Sequence, residues 1–254
     1  MGLSDLPLEH NESQQDVRLR EIMRLLKNTQ LFSHLEPGDL ADFMDAAKTR
    51  QTEKGKILYL QNEPSEFFYV IRSGWVKLFR ETLDGEEAVI DILTTGHVFG
   101  ETSVFEDGMH SCNAQVVEDA QLIVLPSSLL REKIQVSHTF ALNMLSAISH
   151  HRRHSIEELE HLTVQSAPQR IGCFLLRLCK AQEEGEVTLH LPYDKTLIAA
   201  RLGMKPETFS RALTRLRQES DIEVKGATVS IPDIQRLVGY TCNACSNAYP
   251  CKDL

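Results

Sequence analysis

The sequence predicts an α+β protein made of an antiparallel β-roll, a long helix and a helix-turn-helix that carries a β-wing. Three observations predict it. Between Lys54 and Leu125, short runs rich in branched and aromatic residues recur between turn signals. From Thr139 to Val164 a helical apolar pattern runs longer than one amphipathic face requires. The stretch KTLIAARLGMKPETFSRALTRL, Lys195 to Leu216, reads as two short amphipathic helices joined at a glycine.

In chain order, residues 1–16 are polar and acidic and read as a mobile tail. Residues 17–31 follow as a helix on the period of Leu19, Ile22, Met23, Leu25 and Leu26, and Asp39–Ala47 as a second. The period then changes. KGKILYL, FFYVIRSGWVKLF, EAVIDIL and AQLIVL are short strands, separated by turn signals at Asn62–Pro64, Ser73–Gly74, Asp84–Gly85 and Gly96. Such spacing suits a small antiparallel roll, with its flanking helices a unit of residues 17–137. Ser127 and Ser128 are placed to cap a helix over Leu129–Ile134.

The long helix, assigned to 138–165, has small residues at Ala141, Ser146, Ala147 and Ser149, which suits packing on the roll and on a second copy. His150, His151, His154 and His161 bracket Arg152 and Arg153 there and read as a solvated face. Pro168 marks the helix end and a hinge, followed by a helix at Gln169–Lys180 and a strand at 187–193. Ile222–Val224 and Thr228–Ile231, with Gly226 between, form a hairpin after the second reader helix, so residues 166–240 are read as a winged helix-turn-helix. Residues 241–254 form a cysteine-containing tail.

Within the reader, Leu197, Ile198 and Leu202 supply one apolar face, and Phe209, Leu213 and Leu216 the other. Gly203 takes the sharp turn, and Pro206 starts the second helix where its missing N–H costs nothing. The remaining face carries Lys205, Glu207, Thr208, Ser210, Arg211 and Arg215. Glutamate accepts from a cytosine amino group, arginine forks onto guanine, and serine serves either, so this helix is equipped for a major groove.

The 254 residues carry a formal net charge of −9, which argues against non-specific nucleic-acid binding by the whole surface. A local basic face is still present, because Lys195, Arg201, Lys205, Arg211, Arg215, Arg217 and Lys225 cluster on or near the reader. No apolar run approaches the ~20 residues of a membrane helix. MGLSDLPLEHNESQQD has no signal-peptide apolar core, so a cytoplasmic location is expected. P-loop, G-x-S-x-G and H-E-x-x-H patterns are missing from the sequence, and no enzymatic activity is expected.

Gly55, the stretch GWVKLF, the stretch GHVFGE, the long helix and the reader together resemble the Crp/Fnr superfamily of bacterial transcription regulators, over about Leu31 to Leu237. The resemblance implies a roll similar to cyclic-nucleotide-binding domains, a long helix at a homodimer interface, double-stranded DNA as partner and RNA polymerase as a further one. Pro206–Arg211 looks like the E-x-x-S-R pattern of the Fnr and Dnr branches, which implies a palindrome of TTGAT-type half-sites. The Crp branch has an arginine where this chain has Pro206. In the cAMP-binding branch a Gly-Glu pair holds the ribose and an Arg-Ser pair the phosphate. Gly100 and Glu101 match the first pair, whereas Ser111 and Cys112 stand at the second without the arginine. cAMP is therefore not the expected ligand.

The six cysteines are Cys112, Cys173, Cys179, Cys242, Cys245 and Cys251. Cys173 and Cys179 sit among Ile171, Phe174, Leu175 and Leu178 and read as core residues. Cys242, Cys245 and Cys251, spaced C-x2-C-x5-C, can grip a metal centre, and spacing alone leaves a [4Fe–4S] cluster and zinc both open. Oxygen-sensing Fnr proteins, by resemblance, hold such a cluster, in one lineage on a C-terminal trio completed by a carboxylate. A fourth ligand here is a carboxylate, a histidine or Cys112. Haem, the nitric-oxide sensor of Dnr-type proteins, is the third cofactor reading.

Overall fold

The computed structural model describes residues 14–33, 35–179, 185–191, 194–246 and 249. Helix α1 spans Gln14–Lys27 and α2 Pro37–Ala46. Of the expected N-terminal tail, residues 1–13 lie outside the described residues, while Gln14 to Asp16 belong to the first turn of α1 rather than to a tail. The helix also stops four residues short of Leu31. There the chain turns, and Leu31 and Phe32 drop into the core beneath it.

The roll is built from β1 (Lys48–Thr52), β2 (Ile57–Tyr59), β3 (Phe67–Glu81), β4 (Glu87–Leu93), β5 (Val98–Phe99) and β6 (Asn113–Pro126). Its antiparallel order is β1-β6-β3-β4, with β2 added on β6 and β5 on β3. Strand β1, KTRQT, lies ahead of the expected first strand; all five of its residues are polar, three of them exposed, and it pairs Thr49 with Ile123 along one edge. No apolar alternation marks such an edge.

Ser73–Gly74 was expected to separate two strands, but it lies inside one. The buried residues Val70 and Ile71 continue on the far side as Trp75 and Val76, and the pairing with β6 shifts register around the glycine. Gly74 has φ 89°, and a Cβ there would stand 2.4 Å from the Asp119 carbonyl oxygen. The residue accommodates a bulge that bends the strand around the roll.

Helix α3 (Ser127–Val136) begins at Ser127, so neither serine caps it. Ser127 is instead buried, with its hydroxyl 3.1 Å from that of Ser65. Helix α4 (His138–Val164) is capped by Ser137, whose Oγ accepts from the Phe140 N–H. Phe140 and Met144 join Phe32, Phe43 and Phe68 in one core, which ties the first turns of α4 to the roll. The opposite face is apolar and uncovered. Leu142, Leu145, Ile156 and Leu159 are 51, 58, 53 and 64% exposed, and with Ser149, Arg152 and Thr163 they repeat in steps of three and four.

Pro168 is not the hinge. It is buried in the first turn of α5 (Ala167–Leu178), where its fixed φ suits a helix start; the break falls at Gln165–Ser166. Strand β7 (Val187–His190), α6 (Lys195–Arg201), α7 (Pro206–Ser220), β8 (Glu223–Lys225) and β9 (Thr228–Ile231) follow, with the small sheet ordered β7-β9-β8. Pro192 and Tyr193, expected in the β7 strand, lie outside the described residues.

An unexpected helix, α8 (Ile234–Thr241), closes the domain. Asp233 caps it by accepting from the Gln235 and Arg236 N–H groups, a signal present in the sequence as aspartate ahead of Ile-x-x-Leu-Val. It lies flush on α5, where a Cβ at Gly172 would meet Thr241 Oγ1 at 2.2 Å.

Candidate functional site

The reader folds as its sequence dictates. Asp194 caps α6 through the Thr196 N–H at 2.9 Å, and Leu197, Ile198 and Ala199 are buried. Gly203 makes the turn at φ 63°. Helix α7 buries Phe209, Ala212 and Leu216 in the core that includes Ile171 and Leu175 of α5. That packing leaves Lys205, Glu207, Ser210, Arg211 and Arg215 exposed, with Thr208 half-buried. Ser210 donates its proton to the Pro206 carbonyl at 3.0 Å, so toward a base it is an acceptor. Thr214 and Gln218, passed over in the sequence, extend the same exposed line at helical spacing from Glu207 and Arg211. On the wing, Lys225 pairs with Glu223 at 2.8 Å.

Arg201 does not belong to the basic face. Its side chain is 12% exposed; Nε lies 3.0 Å from Asp91 of β4, and the guanidinium also pairs with Glu158 of α4. Beside it Leu197 packs with Trp75 and Ile92 of the roll. The first reader helix is therefore held to the roll by one polar and one apolar contact. Sequence shows Arg201 as a charge at helical spacing but not the carboxylates opposite.

Within α4, His150, His151, His154 and His161 do not share one solvated face. Arg177 donates to His154 Nε2 at 2.6 Å, and burial, then the Arg177 charge, hold the imidazole below its ordinary range. His161 lies 3.9 Å from the Cys173 sulfur, and His151 3.7 Å from Glu101. At about 100° per residue a helix turns such a cluster toward several neighbours.

A cavity of about 440 Å³ opens between the roll and α4, lined in part by Gly100, Glu101, Ser111 and Cys112. Burial pushes the Glu101 carboxyl from its ordinary 4.5 up to about 7. His110, stacked on Tyr59 at 3.5 Å between ring centres, is pushed by burial down to about 4, and the Cys112 thiol up to about 11. Arg80 stands exposed at the wall, its Nε donating to the Ser111 carbonyl. Neither His110 nor Arg80 was legible as pocket-forming. The positions matching the phosphate pair, Ser111 and Cys112, carry no cation; the guanidiniums that line this cavity are those of Arg80 and Arg201.

The two shifted groups oppose each other in pH. Glu101 keeps its proton in the fold and loses it in the unfolded chain between pH 4.5 and 7, so its contribution to stability falls as pH rises through that window. His110 is neutral in the fold and charges in the unfolded chain, so its contribution is lost as pH falls from 6.5 to about 4. In urea unfolding of the parent chain these two contributions therefore offset each other across the overlap. In Glu101→Gln that offset is lost, and from pH 4.5 to 6.5 stability is expected to rise by about 3 kcal/mol more than in the parent. A flat profile in that variant would contradict the burial of His110.

Of the cysteines, Cys173 and Cys179 are buried in α5 and at its end, as expected. Cys242 and Cys245 are half-buried at either end of a 3-10 turn after α8, with Cys245 Sγ 3.9 Å from the Cys242 carbonyl oxygen. Cys251 lies outside the described residues. Among the described residues no three His, Cys, Asp or Glu side chains gather as a metal site. Cys112 lines the roll cavity. The tail is anchored to α4, since Glu160 accepts from Ser246 N at 2.8 Å and from its hydroxyl at 2.9 Å.

Residues 49–137 match the family model of the cyclic nucleotide-binding domain, and 169–240 that of the Crp-like helix-turn-helix domain. The cyclic AMP receptor protein of Thermus thermophilus is 29% identical over 81% of this chain and 94% of its own length. The nitrogen fixation regulation protein FixK of Rhizobium meliloti is 29% identical over 68% and 77%. A solved structure from Ruegeria pomeroyi, described only as a candidate cyclic nucleotide binding protein, is 33% identical over 87% of this chain and 97% of its own, with a TM-score of 0.69. With both domain types in this order, joined by the long helix, the chain belongs to the Crp/Fnr family of transcription regulators.

Proposed function

We propose that this regulator acts as a homodimer, reads an inverted repeat of TTGAT-type half-sites through α7, and gates that reading by a redox or gas signal rather than by cAMP. The observation that carries the DNA reading is the exposed line of Glu207, Ser210 and Arg211 on a helix whose other face is fully packed. The uncovered apolar stripe of α4 supports the dimer, because a three-four repeat is the seam of a two-helix coiled coil. Two readers related by a two-fold axis then meet half-sites in successive major grooves. Arg211→Ala is expected to weaken operator binding by about 1–3 kcal/mol and to relax preference at one base position, measured by titration against half-site variants. Unchanged affinity and preference would displace the reading helix from the groove.

The signal is assigned to the C-terminal cysteines. Supporting this are the paired half-buried Cys242 and Cys245 and the anchoring of their segment to the dimer helix at Glu160. Described residues supply two thiols, and Cys251 would be the third. An iron–sulfur cluster held there would supply oxygen- or nitric-oxide-sensitive chemistry, and the tie to Glu160 would pass a change in the tail to α4. Protein purified without air is expected to contain iron and acid-labile sulfide, both lost in Cys242→Ser. Stoichiometric zinc, or a Soret band from haem, would overturn that assignment. The working location is the cytoplasm, with RNA polymerase as partner; no helix among the described residues is long and apolar enough to cross a membrane.

A further inference from the structure

A relay of polar contacts holds the DNA-binding domain to the rest of the chain, and it ends on a histidine. Glu158 Oε1 of α4 accepts from Arg177 of α5 at 3.3 Å and also from Arg201 of α6, whose Nε reaches Asp91 of β4 at 3.0 Å. Arg177 Nη1 has a second acceptor, His154 Nε2 of α4, at 2.6 Å. Beside this relay Leu197 of α6 packs on Trp75 and Ile92 of the roll.

The last link fixes a protonation state. A guanidinium has donors only, so His154 Nε2 must offer its lone pair, and the imidazole is neutral with its proton on Nδ1. A second proton has two effects. It takes the lone pair away from Arg177, and it makes His154 a donor 3.7 Å from Glu158 Oε1, the oxygen that holds both guanidiniums. The imidazolium then competes for the anchor of α6. Facing His154 are Arg177 from α5, Arg201 from α6, Asp91 from β4 and Glu158 from its own helix. His97 and His161 line one adjoining cavity, and Arg80, Glu101 and His151 the other. The two carboxylates that would welcome a proton on His154, Asp91 and Glu158, are already engaged by Arg201.

We propose that His154 is a proton-operated latch, and that its protonation frees the DNA-binding domain from the roll. Burial, then the Arg177 charge, hold the docked imidazole below its ordinary 6.5, so the released form binds the proton more readily. The contribution of His154 to docking is therefore complete above pH 6.5 and is lost as pH falls below it. A second contact between the domains has the opposite sign. His190 of β7 lies 3.4 Å from Glu118 of β6, and a proton there strengthens the pair. Release by acid thus has its source at His154. It rests on neither the operator reading nor the assignment of the signal to the cysteines.

The chain has a single tryptophan, and it stands in the docked seam, where Trp75 is 6% exposed. The test follows acrylamide quenching of its fluorescence in the full chain as pH is lowered from about 8 to about 5, with far-UV circular dichroism recorded at each step. In the parent, quenching is expected to rise several-fold with a midpoint below 6.5 while the far-UV signal holds. In His154→Gln the amide oxygen accepts from Arg177 and does not titrate, so Trp75 should stay shielded throughout. Glu101 and His190 are common to both chains, and the difference between them reports His154. Imidazole 15N shifts of the parent give a reading that needs no variant: His154 should be the Nδ1–H tautomer and take up its second proton over the range in which Trp75 opens. Any one of four results would overturn the latch: a parent Trp75 still shielded at the acid end, a variant that opens like the parent, an Nε2–H tautomer, or a far-UV signal lost together with the shielding, which would make the event unfolding rather than release.

Discussion

The double variant Ile156→Asp, Leu159→Asp is expected to be a folded monomer that has lost most of its operator affinity. Both side chains are more than half exposed in the single chain, so charging them removes nothing from either domain core. In a paired α4 seam the same positions would bury four carboxylates against one another, which association cannot compensate. Coupling two readers in one molecule is worth about 10²–10⁴ in apparent affinity, and the monomer forfeits it. Light scattering gives the mass, far-UV circular dichroism the fold, and titration with a full palindrome the affinity. A dimer that persists in the variant would place the interface elsewhere. A monomer that still binds the palindrome as tightly as the parent would remove dimerisation from the mechanism.

Arg201→Ala is expected to release α6 from the roll while both domains stay folded. The substitution leaves Asp91 and Glu158 facing each other without the guanidinium between them, and the remaining apolar contact among Leu197, Trp75 and Ile92 is small. Charged hydrogen bonds of this sort contribute about 1.5–3 kcal/mol, which corresponds to a loss of roughly ten- to hundredfold in protection against local opening. Hydrogen exchange should accelerate at residues 87–93 and 195–201 and remain slow in the cores around Phe140 and Phe209. Unchanged exchange at β4 and α6 would mean that the apolar contact alone holds the reader in place.

Elements with a clean period were legible. Strand β4 runs over the expected residues, and α4, α6 and α7 start within a residue of expectation, because each has a cap, a proline or a charged face that ends its apolar pattern. The misses have a common cause. Strand β1 is defined by its hydrogen bonds to β6 and not by its side chains, so its polar sequence concealed it. Gly74 signals positive φ in both a turn and a bulge, and only the buried residues on both sides distinguish them.

The exposed reader residues could be named from one helix alone. Arg201, His110 and Gln165 could not, because what matters about each is a partner, or an unmet bond, supplied by distant chain. Asp91 pairs with the first and Tyr59 stacks on the second, while the Gln165 amide is buried without a hydrogen-bond partner among the described residues. A charge or an amide in a sequence does not state its environment.

The close seat of α8 on Gly172 has a mechanical consequence for the cysteines. With Thr241 Oγ1 positioned 2.2 Å from where a Cβ would stand, the last helix has no slack to slide along α5. Cys242 starts its turn from the next residue, and a few positions later Ser246 is clamped to Glu160. The segment is thus a strut fixed at both ends, one on the DNA-binding domain and one on α4. Any change in its length, by contraction around an ion or by oxidation of its thiols, becomes a force between those two bodies instead of being absorbed as slack.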